Sequence, residues 1–215
     1  METFVTTVVG LVGGLLLSVA FWYFTSHIVV PSIQFHEFIS KRDHRGSGKT
    51  IYRFRIKNPR RKRGVIDVSM QARMHYSGVS LIPKTDKDLS VKSNRTMLDV
   101  PLDNKHLFRL APGARRVIWL DLHKMNFGNF PFTSEQKAMV LNGGSAALET
   151  LFALGDDAYL RIEVLCYDEW SGSRRYYSSR EYRTSEIKLG VFDGDEIRPE
   201  LSAEQSPLER GDTSK

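Results

Sequence analysis

Apolar and polar residues follow three different rhythms along this chain. From Phe4 to Phe24 no charged residue interrupts an apolar run of 21 residues. At about 1.5 Å per helical residue such a run spans roughly 30 Å, the hydrocarbon thickness of a bilayer. From Thr50 the period changes to two. In TIYRFRIK, Tyr52, Phe54 and Ile56 alternate with Arg53, Arg55 and Lys57. In VIDVSMQARMHY, Ile66, Val68, Met70, Ala72, Met74 and Tyr76 share one face, with Asp67, Ser69, Gln71, Arg73 and His75 on the other. Asn58-Pro59 through Gly64 supplies the turn between these strands. Further strands are predicted over 96–102, 114–122, 158–167 and 174–183, with Ser171-Gly172-Ser173 as the turn between the last two. One helix is expected over 145–154, closed by Gly155. The third rhythm is none at all: after Phe192 the chain is polar, acidic and without a period.

The apolar head admits three readings. A cleaved export signal begins with positive charge, but no Lys or Arg precedes this run and Glu2 has the opposite sign. Ser18-Val19-Ala20 would serve as a cleavage site, yet the run continues through Phe21, Trp22, Tyr23 and Phe24. A buried soluble helix would show a polar face, and none is present. A membrane helix explains most, because the Phe-Trp-Tyr-Phe cluster stands where an interfacial aromatic belt belongs. Positive charge lies only on its C-terminal side, which puts the body in the cytoplasm. Gly10, Gly14 and Ser18 fall on one stripe of this helix, a spacing that lets a second helix approach closely.

Short strands of one-sided polarity at this spacing predict an all-β fold: an immunoglobulin-like β-sandwich behind a single N-terminal transmembrane helix. The expected organisation is an anchor at 1–30, a basic tether at 31–49, the β-sandwich at 50–192 and a disordered acidic tail at 193–215.

The formal charge of +6 is unevenly placed. Between Lys41 and Arg63 stand eleven Lys and Arg against one acid, Asp43, whereas 193–215 holds seven acids against three bases. A nucleic-acid face favours basic residues interleaved with exposed aromatics. Here the aromatics alternate inward, so nucleic acid is not the expected partner. For a domain tethered to a cytoplasmic leaflet, anionic lipid is nearer. Lys41, Arg42, Arg45, Lys49, Arg60, Arg61, Lys62 and Arg63 are the candidate lipid contacts, each worth about 1 kcal/mol when well placed. The competing reading is a solvated loop that keeps a sheet edge soluble.

Catalytic patterns are missing. GSGKT at 46–50 resembles the end of a phosphate-binding loop, but the first glycine of that motif would fall on Asp43, and an alternating strand follows instead of a helix. The six histidines show no paired ligand spacing, and the single Cys166 can neither build a thiolate zinc site nor close an internal disulfide. No enzyme activity, cofactor or metal is therefore expected. Asn94-Arg95-Thr96 matches a glycosylation acceptor and serves as a topology probe, since a cytoplasmic site is never used.

The order of segments has a likeness. IQFHEFISKRD, followed by GKTIYRFRIKNPRRKRGVIDVSMQARMHY, resembles the opening of the cytoplasmic domain of inward-rectifier potassium channels. LDVPLDNKHLFRLAPGARRVIWLDL is similar to its middle strands, and RIEVLCYDEWSGSRRYYSSREYRTSEIKLGVF to its closing hairpin. The likeness covers about residues 33–192. It implies an immunoglobulin-like sandwich that assembles as a ring of four and responds to ligands such as anionic lipids. Those channels surround a pore loop and its filter with two membrane helices, whereas this chain has one apolar helix and no filter sequence. HIVVPS stands where that family carries a basic cluster. The expected function is thus a membrane-anchored sensor, adaptor or assembly domain, a homo-oligomer in contact with lipid and open to a protein partner. An oligomeric pore built from the single helix is the alternative. An exported lipid-anchored or envelope sandwich follows if the head is cleaved.

Overall fold

The computed structural model describes residues 2–24, 32–43, 48–59, 63–79 and 95–199; Arg45, Arg60, Arg61 and Lys62 lie outside the described residues. Helix α1 (Glu2–Tyr23) takes up the apolar run. Its Val5–Tyr23 stretch is long and apolar enough to cross a membrane, and none of it is buried against the rest of the chain. A soluble core helix would hide one face; this one exposes every face.

The body is β-rich. Its first sheet is built on β3 (Thr50–Lys57), which pairs along one edge with β7 (Arg115–Leu120). The other edge is shared by β2 (Ile39–Asp43) beside the first half of β3 and β1 (Gln34–Phe35) beside the second. The second sheet is built on β4 (Val65–Ser77), with β8 (Asp156–Asp168) along one edge. Its other edge is divided between β5 (Arg95–Val100) and β6 (His106–Leu110), and β9 (Arg174–Ser178) lies outside β8.

Alternation drives both sheets into one core. Tyr52, Phe54, Ile56, Ile118 and Leu120 of the first meet Met70, Ala72, Met74, Leu160, Ile162 and Val164 of the second in a single hydrophobic cluster. One register differs from the simple period-two reading. Asp67 sits in the left-handed region (φ 49°), and the β4–β8 pairing slips between Ile66 and Ser69. This bulge adds a residue, so Val65 enters the core in place of Ile66, which stays half-buried.

Between β7 and β8 the chain forms two short helices. The helix α2 (Ser134–Leu141) opens with a capping box in which Thr133 and Gln136 exchange side-chain-to-backbone bonds. The expected helix appears as α3 (Ala147–Phe152). Gly155 follows it for a reason other than a left-handed cap: a Cβ there would stand 2.7 Å from Val79 Cγ2.

Two sequence-drawn boundaries move. Inside the expected tether, β1 and β2 are strands of the first sheet. The fold also runs past 192: β10 (Ile187–Leu189) joins β2 in parallel, and β11 (Val191–Asp193) forms a hairpin with β12 (Glu196–Arg198). The start of the expected disordered tail is therefore part of the domain.

Candidate functional site

Period two aims Arg53, Arg55 and Lys57 away from the core, on the outer face of the first sheet. Such residues are usually solvated. Here Arg53 and Arg55 are buried, at 9% and 6% exposure. The C-terminal segment covers them. After β10, Gly190 adopts φ 140°, and the chain folds the β11–β12 hairpin back over β3. Arg53 Nη2 donates to Ser40 Oγ at 2.9 Å and to the Gly190 carbonyl at 3.2 Å, and Ser40 Oγ donates to that same carbonyl at 2.5 Å.

The hairpin tip is Gly194-Asp195, and its carboxylate meets three cations. Asp195 Oδ1 accepts from Arg55 Nη2 at 3.2 Å, while Oδ2 faces Lys57 Nζ at 3.5 Å and Arg115 Nη2 at 3.1 Å. Arg55 also donates to the Gly194 carbonyl and lies over the Phe192 ring at 5.1 Å. Lys57 and Arg115 are direct cross-strand partners, and Arg55 is two residues along the same face. Desolvation raises the Asp195 carboxyl, but Arg115, Lys57 and Arg55 outweigh it and hold it below the usual carboxylate range. Burial lowers the Arg55 guanidinium, and Asp195 opposes that shift.

Beside this cluster runs a groove of about 550 Å³, lined among others by Phe35, Glu37, Phe38, Lys57, Lys188 and Glu196. His36 closes one wall. Its ring meets Phe192 edge-on at 4.9 Å, and its Nε2 stands 3.1 Å from the Asp195 carbonyl, so Nε2 carries the donated proton. Lys188 Nζ lies 3.3 Å above the Phe38 ring.

Among the described residues, the basic side chains singled out in the sequence lie in two groups. Lys41 and Arg42 lie on β2 and Lys49 just before β3, whereas Arg63 follows its far end. Eight residues of strand separate the two groups by roughly 23 Å. Two of these charges hold the fold together. Lys41 Nζ is 2.5 Å from Glu149, which also accepts from Tyr52 Oη at 2.5 Å, tying β2 and β3 to α3. Arg63 pairs with Asp168 at 3.2 Å and stacks over Trp170 at 4.4 Å. Gly10, Gly14 and Ser18 are exposed on α1, and a Cβ at either glycine would meet nothing within 4 Å.

Among the described residues no group of three or more His, Cys, Asp or Glu is placed to hold a metal. Cys166 is buried, and burial pushes its thiol up to about 11, so it stays protonated and inert at neutral pH. The Arg55–Lys57–Arg115 cluster escapes a reading that follows charge along the chain. The one available signal was charge complementarity between that face and the acids after Phe192.

Fold and site together define a β-rich domain behind a membrane-length helix, with an anion-centred cluster on its outer face. The chain matches no protein-family model, and no curated protein matches it in sequence.

Proposed function

We propose that this chain is a single-pass membrane protein whose body is an immunoglobulin-like sandwich of the inward-rectifier type, acting in the cytoplasm as a non-enzymatic sensor, adaptor or assembly domain. The observation that carries this reading is α1: a 19-residue span, apolar on every face and buried nowhere in the chain. An apolar surface of that size is stable in lipid and not in water. Two five-stranded sheets around one core support the sandwich. Positive charge on the C-terminal side of α1 supports the orientation.

Membrane fractionation tests it directly. The full chain should resist carbonate extraction, and protease added to inverted inner-membrane vesicles should degrade the body. Release by carbonate, or a body protected in inverted vesicles and cut in right-side-out ones, would overturn the anchor or its orientation respectively.

Oligomerisation through the helix is a second element of the reading, favoured by the open Gly10 and Gly14 positions. Replacing both by Ile should shift the full chain in detergent from oligomer toward monomer by about tenfold or more in dissociation constant, as close helix packing is lost. Unchanged size by light scattering would assign assembly to the β-domain alone. In that case the pore alternative loses its helix interface.

A further inference from the structure

We propose that Arg55, Lys57 and Arg115 form a binding site for a phosphate monoester, which Asp195 at the tip of the β11–β12 hairpin occupies as an internal stand-in. The proposal does not rest on the membrane reading; it concerns the outer face of the β-domain alone.

Three observations carry it. First, Lys57 and Arg115 are directly opposed across β3 and β7, with Arg55 beside them. Like charges directly opposite on a sheet repel, so an anion between them stabilises this arrangement. Second, the anion present is too small in charge. One carboxylate faces three cations, at 3.1 to 3.5 Å. A phosphate monoester brings about two charges and three acceptor oxygens, which matches two guanidinium groups and an ammonium better. Third, the stand-in can leave. Asp195 is at a hairpin tip with its side chain 60% exposed, whereas the Arg55 side chain beneath it is 6% exposed and fixed. The adjoining groove of about 550 Å³, with Lys188 on its wall, has room for the rest of such a ligand. Glu37 and Glu196 line the same groove. Their charge disfavours polyphosphates and selects a ligand with a single phosphate.

Binding would then expel the Asp195 carboxylate and loosen the hairpin, converting ligand occupancy into a change at β11–β12. The full chain in detergent provides the test, with inorganic phosphate as probe. Asp195→Asn removes the competing charge at nearly constant shape. It should bind phosphate about tenfold more tightly than the parent by calorimetry, since the carboxylate that competes for the three cations is gone. Adding Lys57→Gln and Arg115→Gln should abolish that binding. Equal affinity in parent and Asp195→Asn overturns the proposal.

A second readout needs no variant. Hydrogen exchange across Val191–Arg198 of the parent chain should rise in phosphate, or in mixed micelles with phosphatidic acid, but not in chloride of the same ionic strength. A rise with phosphate marks a soluble phosphoester as the source. A rise with phosphatidic acid alone marks a lipid headgroup. Exchange unchanged in both overturns the proposal even if Asp195→Asn does not fold.

Discussion

Gly190→Ala is expected to unseat the β11–β12 hairpin and lower the melting temperature of the full chain by about 6–12 °C. Gly190 has φ 140°, a conformation that L side chains rarely adopt, and a Cβ placed there would stand 2.2 Å from the Arg198 carbonyl oxygen and 2.8 Å from its carbon. Backbone atoms at that distance cannot be relieved by a rotamer change. The hairpin must move, at about 1–3 kcal/mol for the strained backbone alone. Moving it also disturbs the Gly190 carbonyl, which accepts from Ser40 and Arg53, and the Gly190 amide, which donates to the Lys41 carbonyl at 2.8 Å. Removing partners from a buried arginine adds roughly 1.5–3 kcal/mol. A total of about 3 kcal/mol in a body of this size corresponds to the stated shift. Gly172→Ala is the control. Gly172 has φ 65° in open space, so its alanine variant should lose only about 1 kcal/mol from backbone conformation. Equal melting of the two variants would mean that the hairpin does not depend on the turn at Gly190. Hydrogen exchange should rise at Val191–Asp193 and Glu196–Arg198 in Gly190→Ala only.

That turn also marks where sequence reading stops. The helix α1 and strands β3, β4, β7 and β8 are each long enough to show a period, and from Val68 to Tyr76 of β4, as in β3, the alternation selects the residues that the core buries. The last three strands have three residues apiece, too few to carry a period. The acids from Asp193 onward, in polar company, looked like the composition of a disordered tail. In the fold one of those acids, Asp195, pairs with Arg55, 140 positions earlier, and with Arg115, 80 positions earlier. Local pattern holds no information about so distant a pairing; only matching opposite charges between the β3 face and the tail could have suggested it.

A similar limit applies to the basic stretch from Lys41 to Arg63. Counted along the chain it is a single block of charge. Folded, an extended strand runs through its middle and carries Arg53 and Arg55 beneath the hairpin, while Lys41 and Arg63 turn to acids of other elements. The bulge at Asp67 is a smaller case of the same kind. A period-two count does not know that an extra residue is inserted, so it selects Ile66 where the structure buries Val65. The α2 capping box, by contrast, was present in the residues Thr133-Ser-Glu-Gln136, and only the lack of an apolar stripe on α2 hid it.

The second large effect concerns Asp168, at the end of β8. Its carboxylate is 1% exposed and accepts from Arg63 Nη1 at 3.2 Å, Ser171 Oγ at 2.5 Å and the amides of Trp170 and Ser171 at 3.3 Å. The same residue's backbone pairs with Ser173 and Gly172 across the β8–β9 turn. Asp168→Ala therefore removes the centre of that turn and leaves the Arg63 guanidinium, only 13% exposed, without its counter-charge under the Trp170 ring. Breaking a buried pair from one side costs about 3–5 kcal/mol, which for a chain of this length lowers the melting temperature by roughly 6–20 °C. Arg63→Met should cost less, about 1–3 kcal/mol, because Ser171 and two amides still satisfy the carboxylate. The double variant should fall short of the sum of the singles by about 1 kcal/mol or more, as contacting residues do. Strict additivity in urea unfolding would show that Arg63 and Asp168 do not act as a pair. Coupling would place Arg63 in the fold, so that weaker binding of an Arg63 variant to anionic vesicles reports lost structure before it reports lost charge.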